Sequence, residues 1–118
     1  VMMITHDLGV VSEICSRVIV MYLGEIVEEI PVDMLFTGVR HPYTIGLMAS
    51  MPGFAEARLV RLVTIPGQVP SVPDKPPGCR FASRCLWVQP PCLEAHPPLT
   101  QIGPDHAIRC IRHAETHR

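Results

Sequence analysis

The run RVIVMYLGEIVEEI, residues 17–30, decides how the rest of the chain is read. Its first half, RVIVMYL, is dense in β-branched and aromatic residues, which suit a pleated, half-buried surface. Gly24 supplies a turn, EIVEEI follows, and Pro31 ends the pattern. The segment is expected to form a β-hairpin. Upstream, VMMIT (1–5) is a short continuous apolar run whose length suits a strand buried on both faces. His6 and Asp7 stand at its C-terminal end. DLGVVSEICSR then reads as a short helix, with Asp7 as its N-cap and Leu8, Val11 and Cys15 on one face.

Downstream, PVDMLFTG reads as a short helix with proline in its first turn and Gly38 just past its end. HPYTIGLMASMPG (41–53) reads as another, bounded by Pro42 and Pro52, with Tyr43, Leu47 and Met51 on one face. EARLVRLVTIPG (56–67) begins polar and finishes as a strand, and VPSVPDKPPG (69–78) is a loop in which proline excludes regular structure. PDHAIRCIRH (104–113) alternates like a short strand. Ten of the 13 prolines lie at or beyond Pro66. An ordered α/β first half is therefore expected to give way to a loop-rich second half.

The totals narrow the function. The chain has 118 residues, 47% of them apolar, and a net charge of -1 with histidine neutral, so no basic surplus points to nucleic acid or an anionic membrane. The longest strand-like run, VIVMYLG (18–24), is far short of the ~20 residues that span a bilayer. The N-terminus lacks a basic leader and cleavage site. A cytosolic setting is the expectation, which makes a stable disulfide framework less expected.

GCRFASRCLWVQPPC (78–92) carries the chemistry. The spacing is Cys79-x5-Cys85-x6-Cys92-x17-Cys110. It lacks the close knuckles of a zinc ribbon and the short gaps of a ferredoxin. Spacing therefore leaves open an iron–sulfur cluster, zinc, a disulfide or redox pair, and reduced structural cysteines. A proline-rich segment buries little apolar surface, and a bound metal would offset its chain entropy. His96, His106, His113 and His117 are candidate substitute ligands, each read first as a solvated or satisfied side chain. His41 reads as a helix boundary rather than a ligand, Met48 and Met51 as core, and Cys15 as a small buried hydrophobe.

The stretch ITHDLGVVSEICSRVIVMYLGEIVEEIPVDMLF resembles the final section of an ABC-transporter ATPase domain, where the strand–His–Asp element is the switch loop. VRHPYTIGLMASMPG, with IPGQVPSVPDKPPGCRFASRC, resembles the C-terminal extension of the oligopeptide/dipeptide subfamily of these ATPases. The resemblance implies an α/β chain: the C-terminal piece of a P-loop ABC ATPase domain (1–37), then a small loop-rich α+β cysteine-containing extension (38–118). It implies that His6 contacts the γ-phosphate of ATP and helps position the attacking water. It implies a [4Fe–4S] cluster on Cys79, Cys85, Cys92 and Cys110, with zinc as the alternative, and Arg80, Arg84, Arg109 and Arg112 to offset the thiolate charge. Ile30 stands before Pro31 where the family usually has glycine, a departure in turn geometry.

The same resemblance implies ATP and Mg2+ for the intact protein, which would couple ATP hydrolysis to oligopeptide or dipeptide uptake. No G-x-x-x-x-G-K-[ST] loop, ABC signature or catalytic glutamate strand occurs in the 118 residues, so this stretch alone is expected to be inactive. The implied partners are membrane permease subunits and a second, homologous ATPase subunit in a homo- or heterodimer. A peptide-binding protein would act indirectly, and no nucleic acid is involved. The implied location is the cytoplasmic face of the cell membrane. Two other readings stay open: an independent zinc- or iron–sulfur-binding interaction module, and the same ATPase class serving nickel or another small solute.

Overall fold

The computed structural model describes residues 2, 4, 8–49 and 77–114, without the side chains of 8 and 9. Of the strand expected at 1–5 and expected to be buried on both faces, Met2 and Ile4 are described: neither is in a strand, and they are 84% and 90% exposed, because no other described segment packs over them. The rest of that run, the pair His6 and Asp7, the end of the 41–53 helix with Met51, the 56–67 segment, most of the 69–78 loop and His117 lie outside the described residues.

The hairpin forms where alternation placed it. Strand β1 spans Arg17–Tyr22 and β2 spans Glu25–Pro31, paired antiparallel. On β1 the side chains alternate: Val18, Val20 and Tyr22 are buried, while Arg17, Ile19 and Met21 face outward. Leu23 and Gly24 make the turn with φ of 49° and 78°. Positive φ at both central residues is the two-residue turn whose twist matches the strands. Glycine adopts it freely, whereas leucine there is uncommon.

The pairing then slips: Val20 faces Glu28, but Met21 faces Ile26. Val27 is the extra residue of a bulge. A strand alternates faces, so residues 25 and 28 would normally point opposite ways. The bulge puts both on the side of Val20 and Tyr22, their cross-strand partners.

Two further strands complete the sheet, β3 at Thr100–Gly103 and β4 at His106–Ile108. The order is β1-β2-β4-β3, antiparallel throughout. β4 lies centrally, and all three of its residues are buried. The sheet therefore joins the hairpin to the C-terminal part of the chain.

Helix α1 covers Leu8–Ile14; Val11 enters the core, and Cys15 packs partly buried against it. The helix expected over 31–38 is one 3-10 turn, Val32–Met34. Eight residues from Pro31 to Gly38 inclusive give little helical propagation to offset nucleation. Helix α2, Pro42–Ala49, starts at its proline and buries Thr44, Ile45 and Met48. The cysteine-rich stretch holds more regular structure than a loop: a 3-10 turn at Ala82–Arg84 and α3 at Pro90–Glu94. Pro90 and Pro91 fit α3 because the first helical turn has no use for their missing N–H groups.

Ile30, Leu35 and Met48 are fully buried at the centre of the apolar core, with Val27 and Val39 beside them. Tyr22, Tyr43 and Phe81 pack as an aromatic trio with centroids 4.8–5.3 Å apart. Such pairs add about 0.5–1.5 kcal/mol each beyond area burial. The trio brings the hairpin, the HPYT helix and the GCRF turn to one point.

Candidate functional site

The four cysteines of the 79–110 set arrive from separate pieces of chain. Cys79 follows Gly78, whose backbone lies against that of Cys92 and Leu93; a side chain at 78 would collide with both. The Cys79 N–H donates to the Cys92 carbonyl at 2.8 Å. Cys85 ends the 3-10 turn, Cys92 sits buried on α3, and Cys110 lies two residues beyond β4. All four line one small cavity, together with His41, Phe81, Trp87 and Arg112. None is in a disulfide.

Burial pushes the Cys85 thiol up to about 11 and the Cys110 thiol up to about 12; Cys79 is raised for the same reason. The neighbouring thiols add to each shift, because a second thiolate would repel the first. Backbone N–H groups oppose it: Phe81 and Ala82 at Cys79, Trp87 at Cys85, and Arg112 at Cys110. The Trp87 N–H lies 3.3 Å from the Cys85 sulfur. At Cys79, Cys85 and Cys110 the donor comes from the residue two positions on. These thiols are thus neutral by desolvation yet surrounded by donors that suit thiolate. Only an added cation would deprotonate them together near neutral pH.

Among the described residues, no group of three or more His, Cys, Asp or Glu side chains is arranged to hold a metal ion. A tetrahedral zinc site needs four sulfurs at about 2.3 Å from one point, and that convergence is not preformed here.

The four arginines near the cysteines take separate partners. Of the four, Arg112 lines the cavity, and its charge favours the Cys85 thiolate. Arg80 and Arg109 instead approach the Glu25 carboxylate, and Arg84 donates to the Tyr22 hydroxyl at 3.2 Å. Among the candidate histidines, His96 lies between the Gly78 carbonyl (3.3 Å) and Glu25 (2.8 Å). His106 donates to Glu28 at 2.6 Å. The His113 carbonyl accepts from Arg40.

His41 is buried and caps α2: its Nδ1 accepts the Tyr43 N–H at 3.0 Å. Desolvation lowers its pKa to about 3, opposed by a backbone hydrogen bond with Arg109. Only an acceptor favours the charged ring, so that partner is the Arg109 carbonyl. The ring is neutral and satisfied on both nitrogens, next to Cys110.

Glu28 and Glu25 are site residues that pattern reading passed over. Glu28 is fully buried and accepts from the N–H groups of Arg40 and His41, both at 3.0 Å, and from His106. The signal was present: Glu28 shares its strand parity with Ile26 and Ile30, so an acid interrupts an apolar stripe. For Glu25 no sequence signal existed, because its face depends on the bulge.

Comparisons with known proteins give the family. Residues 27–92 match the family described as the oligopeptide/dipeptide transporter, C-terminal region. A Brucella ovis protein named as a peptide import ATP-binding protein is 49% identical over 95% of this chain and 35% of its own length. A Sinorhizobium fredii protein named as a peptide ABC transporter ATP-binding protein is 51% identical over 98% of the chain and 34% of its own. The oligopeptide transport ATP-binding protein of Mycobacterium tuberculosis is 48% identical over 95% of the chain and 18% of its own. The chain thus spans about a third or less of these relatives. Among the described residues no helix is long and apolar enough to cross a membrane. With its HPYT helix and GCRF turn packed on one hairpin and its cysteines around one cavity, the chain belongs to the oligopeptide/dipeptide transporter C-terminal region family.

Proposed function

We propose that this chain is part of the ATP-binding subunit of an ABC importer for oligopeptides or dipeptides. The observation that carries the reading is its 49% and 51% identity, over nearly its whole length, to relatives named for peptide transport and ATP binding. In this reading residues 1–37 close the P-loop ATPase domain and 38–118 form the extension. The subunit lies at the cytoplasmic face of the membrane, bound to permease subunits and paired with a second ATPase subunit. A peptide-binding protein acts through the permease. His6 contacts the γ-phosphate of Mg2+-bound ATP. An imidazole suits that place because one nitrogen donates to a phosphate oxygen while the other accepts. Phosphoryl transfer needs mostly such positioning and electrostatics.

Cys79, Cys85, Cys92 and Cys110 hold a [4Fe–4S] cluster in the same reading. Two observations support a thiolate-bound metal here: four thiols on one cavity, and backbone N–H groups aimed at three sulfurs. A four-iron cluster takes one thiolate per iron, so its ligands need not meet at one point. When bound, the cluster cross-links four chain segments and exchanges a single electron.

The test uses the full-length subunit purified anaerobically with its permease. About four iron and four sulfide per subunit are expected. Replacing His6→Ala should cut ATP turnover and labelled-peptide uptake by about 10²-fold while ATP binding persists. Undiminished turnover would overturn the role of His6, and colourless protein with stoichiometric zinc would overturn the cluster.

A further inference from the structure

We propose that the turn of the β1–β2 hairpin, with Glu25 as its charged centre, is the positioning element of the four-cysteine site. Every cysteine-bearing segment ties back to residues 22–26. Arg80, next to Cys79, donates to the Leu23 carbonyl at 2.8 Å and approaches Glu25 at 3.6 Å. Arg84, next to Cys85, donates to the Tyr22 hydroxyl and lies over the Tyr22 ring at 5.8 Å. His96, just past the helix that carries Cys92, meets Glu25 at 2.8 Å. Arg109, next to Cys110, donates to the Ile26 carbonyl at 2.9 Å and approaches Glu25 at 3.6 Å.

This convergence is specific in a way that a solvated charge cluster is not. Three cationic or donor groups, distant in sequence, share one carboxylate that is largely buried. Arg109 also donates to the Pro97 carbonyl, and His96 reaches the Gly78 carbonyl, so the tied segments are bound to one another. The turn has two unusual features that serve this use. Leu23 takes a left-handed conformation that leucine rarely adopts, and its carbonyl receives Arg80. The bulge at Val27 rotates Glu25 onto the face shared with Glu28 and Tyr22. The turn itself requires the left-handed backbone but not a leucine in it, and it requires no bulge; local departures of this kind persist where surrounding contacts over-determine them.

The inference rests on the reading that the four thiols form one site, but not on which metal they hold. Its test therefore uses the metal-free, reduced full chain. Each cysteine's alkylation rate is followed by peptide mass spectrometry, with Cys15, which lies outside the cavity, as the internal reference. Glu25→Gln keeps shape but removes the shared charge; it should speed alkylation of Cys79, Cys92 and Cys110 about tenfold over Cys15 and Cys85, through local opening. Tyr22→Phe removes only the acceptor of Arg84 and should speed Cys85 alone. Unchanged rates would overturn the proposal. So would uniform acceleration at all five cysteines, which would mark general loosening. If Glu25→Gln does not fold, the Tyr22→Phe pattern decides by the same criteria. The iron–sulfur reading fails separately, when wild-type protein purified anaerobically carries no iron.

Discussion

The hairpin and the cysteine-bearing segment of residues 77–99 are ordered by different means. In the hairpin, alternating apolar side chains pair across strands and bury one face, so burial and register reinforce each other. The cysteine segment has one helical turn of three residues and one helix of five. It buries Phe81, Ala82 and Cys92 but leaves Leu86 71% and Leu93 55% exposed. It is held instead by donors reaching into the hairpin turn, by the packing of Phe81 on Tyr22 and Tyr43, and by a close backbone approach at Gly78. The lesson is that a segment too poor in apolar surface to fold alone borrows order from a neighbour that has it.

Substitutions can break this dependence from either side. The largest effect is expected at Glu28, which serves both regions. Glu28→Ala leaves His106 and the N–H groups of Arg40 and His41 without their acceptor, a loss of about 3–5 kcal/mol. Denaturant unfolding followed by circular dichroism and by the fluorescence of Trp87 should show both regions melting together; a loss under ~1 kcal/mol would show that the sheet does not depend on this carboxylate. Gly78→Ala acts from the other side. Its methyl group collides with the Cys92 and Leu93 backbone, at a cost of about 1–3 kcal/mol. Trp87 emission should shift while the sheet signal stays, and loss of the sheet signal would mean that dependence runs both ways.

A change of pH sharpens the contact between the regions. Burial holds His41 neutral with a pKa near 3, below its ordinary 6.5. Below pH 6.5 the unfolded chain takes up a proton that the folded chain refuses. The stabilising contribution is therefore complete above pH 6.5 and is lost as pH falls toward 3, by about 1.4 kcal/mol per pH unit. His41→Asn keeps an acceptor for the Tyr43 N–H but cannot titrate. Its stability should fall less steeply between pH 6.5 and 4; parallel slopes for both proteins would show that His41 protonates without unfolding.

Much of the local structure was legible. The 17–30 hairpin, the helix starting at Pro42 and the strand near 106 follow from alternation, proline placement and turn chemistry, all of which act over a few residues. The prolines at 90 and 91 misled, because the same residue that breaks a helix interior also starts one. β3 left little signal, since TQIG, although it holds the β-branched Thr100 and Ile102, is only four residues long and ends in glycine. The partners of the arginines were not legible either: a guanidinium reaches far along its own stem, and Arg80 and Arg109 find Glu25, a residue more than fifty positions away.

By itself the sequence determined the family, the hairpin and the four thiols that belong to one loop-rich segment, because these rest on residue types and short spacings. Only the tertiary structure decided where the thiols meet and what holds them. The pairing of β4 with β2 and the contact of His106 with Glu28 join residues 78 positions apart. A one-residue bulge sets the face of Glu25. No periodicity encodes such contacts; they follow from the packing of distant segments, which a local pattern cannot express.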